Sequence, residues 1–179
     1  MDLAFSPDQE ALTALARDVF AGHVTQDRLK EVEAGPERVD RALWTELSRA
    51  NLLGAGIDEA YGGIGGGILE VCLLLEQAGW TVAPVPLWPT LALGALPLER
   101  YGSSELKSSL LPRVASGECL IGIGMTEPDA GSDAMAMRSK LRRADDGWRL
   151  EGYKNMVTGG HKAAAYFVVT RFPADDTTK

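Results

Sequence analysis

Residues 125–133 read Met-Thr-Glu-Pro-Asp-Ala-Gly-Ser-Asp and follow a short apolar run of strand character, Cys119-Leu-Ile-Gly-Ile-Gly124. Pro128 fixes its own φ and pushes Glu127 toward extended geometry. Gly131 removes a side chain just where Ser132 and Asp133 can offer a hydroxyl and backbone amides. A strand that ends this way makes a rigid shelf with donors along one edge. Such a shelf suits a ligand with a flat polar ring at one end and a phosphate at the other, because the donors need no reorganisation to meet it.

Other side chains could do chemistry, and each has a plainer reading. Glu127 is a carboxylate beside the shelf, but its place in a fixed turn next to Pro128 suits local hydrogen bonding better than proton abstraction. Lys154 reads as a strand-end charge or a structural ion-pair partner rather than a Schiff-base nucleophile. The two cysteines, Cys72 and Cys119, lie far apart in apolar runs and read as buried thiols in a reducing compartment. With only His23 and His161 available, a zinc or iron site is not supported, and His161 reads as a loop residue.

A flavin dinucleotide fits the shelf, and the run Thr126-Glu-Pro-Asp-Ala-Gly-Ser-Asp133 closely resembles the flavin-binding signature of the acyl-CoA dehydrogenase family. A second segment, Asp146-Gly-Trp-Arg-Leu-Glu-Gly-Tyr-Lys-Asn-Met-Val-Thr-Gly-Gly160, resembles the hairpin of the same family, which ends in Gly-x-Lys-x-aromatic-Ile/Val-Thr. The two signatures stand in the family's order and spacing. The resemblance implies an α+β fold: an N-terminal all-α domain over residues 1–117, then the first half of a flavin-binding β-barrel domain over 118–179. It further implies that the C-terminal helical bundle, and with it the carboxylate base, lies beyond this sequence, so that the chain alone holds FAD poorly.

By the same resemblance, Ile123, Met125 and Thr126 line the flavin ring edge, with the Thr126 hydroxyl on its pyrimidine side. Gly131 belongs to that signature, and Ser132 sits near the pyrophosphate and the entering CoA thioester. Met156, Val157 and Thr158 approach the ring, with the Thr158 hydroxyl near flavin N5. The family often has an aromatic residue where Met156 stands. A thioether can still pack on a π-system, and a core strand residue is the equal alternative. The implied reaction is FAD-dependent α,β-dehydrogenation of an acyl-CoA, with an electron-transfer flavoprotein as acceptor and a homo- or hetero-oligomeric assembly. A non-catalytic flavin-binding partner subunit and an oxygen-using oxidase or monooxygenase relative are the competing readings. The stretch Val82-Ala-Pro-Val-Pro-Leu-Trp-Pro89 resembles members acting on bulky, branched or steroid acyl groups.

The elements that must position these residues are legible in outline. Ser6, Pro7 and Gln9 form a capping box and helix start, with Leu12, Leu15, Ala16, Val19 and Phe20 on one face. After Gly35-Pro36 a helix is expected over about 39–50, with Leu43, Trp44 and Leu47 buried. The Gly-rich loop 59–67 lacks the lysine of a P-loop and the order of a dinucleotide fingerprint. It reads as a lead-in to a helix over 68–77, burying Leu69, Cys72, Leu73 and Leu75, or as a flexible linker. A short helix near 90–96 and one through Leu106–Val114, capped by Gly102-Ser103-Ser104, complete the helical part. Strands are expected over 119–126, 139–144, 148–150, 154–158 and 164–170, with a turn at 145–147.

At 179 residues and 45% hydrophobic content the chain can bury a sizeable core. A net charge of -7 argues against nucleic acid or an anionic membrane as the main partner, and Arg138, Lys140, Arg142 and Arg143 read as the solvated side of a strand. Residues 77–98 carry no charge but contain four prolines, which disfavours a membrane span. The start, Met1 to Pro7, lacks the pattern of a signal peptide, so the expected location is cytoplasmic.

Overall fold

The computed structural model of the chain describes residues 4–172. Helix α1 (Pro7–His23) starts on the expected capping box: the Gln9 amide donates to Ser6 Oγ at 3.2 Å, and the Ser6 amide donates to Gln9 Oε1 at 3.0 Å. Its buried stripe is Leu12, Ala16 and Phe20. Leu15, expected on that face, is exposed, because it lies at the edge of a stripe centred on Ala16. A second helix, α2 (Gln26–Ala34), is capped by Thr25 and buries only Val32, so no apolar period announced it. Helix α3 (Arg41–Arg49) buries Leu43, Trp44 and Leu47 as expected.

The Gly-rich segment is packed structure. A Cβ on Gly63 would stand 1.9 Å from the Ile57 carbonyl oxygen, and one on Gly66 would stand 2.2 Å from that of Ala55. Backbone therefore lies against backbone, which is incompatible with the linker reading. Helix α4 (Ile68–Thr81) follows, longer than expected, and buries Val71, Leu73 and Leu74. Leu69 and Cys72 face outward, contrary to the expectation for both, because α1 covers the opposite side of this nearly all-apolar helix.

Instead of one short helix over 90–96, residues Trp88–Ala95 form π-helical turns that run into α5 (Leu96–Tyr101). Helix α6 (Ser104–Ala115) is capped by Ser103. Phe20, Leu43, Leu47, Leu53, Val71, Leu74, Leu91, Leu111 and Val114 share one core, which continues through Cys119 and Leu120 to Ile121. Burial raises the Cys119 thiol above its ordinary pKa, so it remains an apolar filler.

That continuity ties the first strand to the helices. Strand β1 (Ile121–Gly124) lies against the π-helical turns: Gly94 leaves room for Ile121, and the Ile121 amide donates to the buried Thr90 hydroxyl at 3.4 Å. Strands β2 (Lys140–Ala144) and β3 (Gly147–Glu151) form an antiparallel hairpin about Asp145-Asp146. Strand β4 (Ala165–Val168) pairs in parallel with β1, from Ile121 opposite Ala165 to Gly124 opposite Val168. The expected strand over 154–158 is not formed. Met156 takes φ 49°, a left-handed conformation that interrupts a ladder, and only Thr158 makes a bridge, to Ile123. No helix among the described residues is long and apolar enough to cross a membrane.

Candidate functional site

Two motif segments meet at the end of β1. Ile123 is half-buried within the strand and bridges Thr158, while the Asn155 amide donates to the Thr126 carbonyl at 3.0 Å. The segment 154–158 thus runs along one side of β1, and β4 occupies the other. Ile123, Met125, Thr126, Val157 and Thr158 are brought together by this arrangement. Gly131 and Ser132 lie on the exposed loop that follows the Glu127–Ala130 turn, and no hydrogen bond joins them to either threonine.

Among the described residues, the hydroxyls of Thr126, Ser132 and Thr158 have no side-chain hydrogen-bond partner. Asn155 Oδ1 is buried and unpaired, an acceptor without a donor. Met156 is 78% exposed, which removes its reading as a core residue and leaves a thioether on the surface beside Thr158. A Cβ on Gly131 would meet nothing within 4 Å, so no neighbour among the described residues demands glycine there. Threonine hydroxyls and an exposed thioether on these adjoining segments, with an unpaired amide acceptor buried among them, suit a flat ring with a polar edge.

Behind this face lies a buried ion pair. Lys154 Nζ reaches Glu127 Oε1 at 2.7 Å and the Met125 carbonyl at 3.0 Å. Glu127 also accepts the Arg138 amide at 2.6 Å and the Ser139 amide at 2.9 Å. The Lys154 ammonium first, with Ser139 and the Arg138 amide adding to it, holds the Glu127 carboxyl far below the usual carboxylate range. A carboxylate so committed is a poor proton acceptor, which agrees with its sequence reading as a loop fastener.

The Gly-x-Lys spacing acquires a cause here. Gly152 leaves β3 with φ 153°, and a Cβ on it would stand 2.1 Å from Ser139 Oγ. Only glycine fits, and two residues later Lys154 is delivered to Glu127. Sequence reasoning missed that steric need and the unpaired Asn155; the motif spacing itself was the available signal. The basic cluster is solvated as expected: Arg138 pairs with Asp129 and Arg142 with Glu151, and Arg143 lies over Trp148. Among the described residues no group of His, Cys, Asp and Glu could hold a metal ion.

Comparison with known proteins gives the same frame. The family model described as acyl-CoA dehydrogenase, N-terminal domain, matches residues 6–118, and the one described as acyl-CoA dehydrogenase, middle domain, matches residues 122–179. The mitochondrial long-chain specific acyl-CoA dehydrogenase of Mus musculus is 30% identical over 166 residues, covering 92% of this chain and 38% of that protein. The chain therefore spans about two fifths of that relative's length. A solved variant of the Tcur3481-Tcur3483 steroid ACAD superposes with a TM-score of 0.87 at 40% identity, over 93% of this chain and 45% of the other. An acyl-CoA dehydrogenase complexed with FAD from Bacillus anthracis gives a TM-score of 0.81 at 27% identity, over 94% of this chain and 30% of the other.

Proposed function

The chain belongs to the acyl-CoA dehydrogenase family, and on that premise we propose that its residues 118–179 form one wall of an FAD site in a protein that dehydrogenates an acyl-CoA thioester between its α and β carbons. Residues 1–117 form the helical domain that backs this wall. The observation that carries the reading is the junction of the two motif segments, with Thr126 and Thr158 on adjoining backbone and neither hydroxyl bonded to a side chain among the described residues. FAD, when bound, supplies the acceptor for the hydride that leaves the β carbon.

The chain's own residues bind and orient. Thr126 would donate to the pyrimidine edge of the ring and Thr158 to the edge near N5. Ile123, Met125, Val157 and Met156 would cover the ring from water, while Gly131 and Ser132 would meet the pyrophosphate and the thioester end of the substrate. Glu127 abstracts no proton, because three donors within 2.9 Å already hold it. The base belongs to another part of the assembled protein, as do the remaining flavin contacts in a homo- or hetero-oligomer, and electrons pass to an electron-transfer flavoprotein. A bulky acyl group is the favoured substrate, supported by 40% identity to the steroid ACAD variant.

The test is reconstitution. The complete, assembled protein is mixed with FAD, and the visible flavin spectrum is recorded before and after acyl-CoAs of increasing bulk, ending with a steroid side chain. A saturable, resolved spectrum perturbed most by the bulkiest thioester is expected. No uptake of flavin overturns the reading.

A further inference from the structure

The expected strand over 154–158 is missing, yet the segment still lies beside β1. Its backbone links to that strand's end are the Asn155 amide on the Thr126 carbonyl and the Thr158 bridge to Ile123, separated by the left-handed Met156. A broken ladder specifies register weakly. The Glu127 and Lys154 side chains, 5% and 10% exposed, pair just beyond the Asn155–Thr126 link. Lys154 binds both the carboxylate and the Met125 carbonyl, its stem passing over Gly124, where a Cβ would stand 3.4 Å from Lys154 Cγ. Glu127 in turn holds the amides that lead into β2. A buried pair is weak evidence for stability, and its best-attested use is fixing register.

We propose that the Glu127–Lys154 pair is a positioning device that holds the Thr126 and Thr158 hydroxyls in one site, so that FAD meets a preformed edge. This rests on the FAD reading above and adds two residues to it that need not touch the ligand. The pair replaces ladder bonds that the Met156 conformation forgoes. Preorganising two donors before binding removes an ordering cost from the bound state.

Glu127→Gln, Lys154→Met and the double variant, made in the complete protein, test it by amide exchange and by FAD titration. Glu127→Gln places an amide nitrogen against the Arg138 or Ser139 donor, and Lys154→Met leaves Glu127 short of its cation. Each single change is expected to speed Asn155 and Arg138 amide exchange by about tenfold or more and to weaken FAD by about tenfold, while amides of α1 and α4 are unchanged. The double variant is expected to weaken FAD no further than either single change, because the pair acts as a unit. It carries neither charge, and so stays measurable should a single variant fail to fold. Unchanged exchange at Asn155, or faster exchange with FAD affinity and spectrum intact, overturns the proposal. A complete, unaltered protein that takes up no FAD overturns the functional reading instead, and that result needs no variant.

Discussion

Thr126 and Thr158 carry hydroxyls without a hydrogen bond to any side chain among the described residues, and that separates binding from stability at single residues. Thr126→Val and Thr158→Val are expected to change unfolding free energy by no more than about 0.5 kcal/mol, because no internal hydrogen bond is lost. Each is expected to weaken FAD by about five- to tenfold, the value of one hydrogen bond to a bound ligand. Titration of flavin fluorescence and thermal unfolding, run side by side, check both halves. Gly152→Ala behaves in the opposite way. With φ 153° and Ser139 Oγ 2.1 Å from the new Cβ, it is expected to destabilise the β2–β3 region and to speed exchange of the Ser139 amide. The threonines were legible from the motif, and the free state of their hydroxyls was not. Burial and partners depend on which segments meet, and one sequence does not show that. Met156 illustrates the limit: the pattern put it in a strand, whereas its left-handed backbone turns the thioether to the surface.

Helix boundaries were legible wherever a cap or an apolar stripe marked them. Ser6, Ser103 and the Leu43-Trp44-Leu47 stripe each give a position that the structure keeps. Helix α2 escaped because it buries one residue and is held by polar contacts. Its Arg28 forks onto Asp40 at 2.7 and 2.8 Å, while Asp40 caps α3 by accepting the Ala42 and Leu43 amides at 3.1 Å each. Asp40→Ala removes the α3 cap and one of the two carboxylates that hold Arg28, the other being Glu31, and is expected to cost about 1–2 kcal/mol in urea unfolding, the value of the cap. The Arg28 guanidinium first, with the capped amides, holds the Asp40 carboxyl below its ordinary pKa, against the opposing effect of burial. Its folded-state pKa is therefore lower than its unfolded one. The stability it adds is full above about pH 4, the ordinary carboxylate value, and is lost as pH falls through the folded value. Unfolding followed from pH 7 downward is expected to show an acid loss that Asp40→Ala has in smaller measure.

At the scale of the molecule, one core runs from the helices into β1, so the surface bearing the motifs is anchored in the best-packed part of the chain. Phe20, fully buried between α1 and its neighbours, is expected to cost about 3–5 kcal/mol when changed to alanine. The loss should appear in the strand region as well, since Leu91 and Ile121 belong to the same cluster. The order of helices before strands could be read from the change of hydrophobic period near Gly117. The pairing of β1 with β4, and the close approach of 154–158 to β1, are contacts between distant residues that leave no local pattern. The family motifs supplied what periodicity could not, by naming the two segments that belong together. A crystal structure of the protein with FAD tests this account most directly. The ring edge is expected against Thr126 and Thr158, with Lys154 still on Glu127 behind them; a ring bound elsewhere, with both hydroxyls facing solvent, would contradict it.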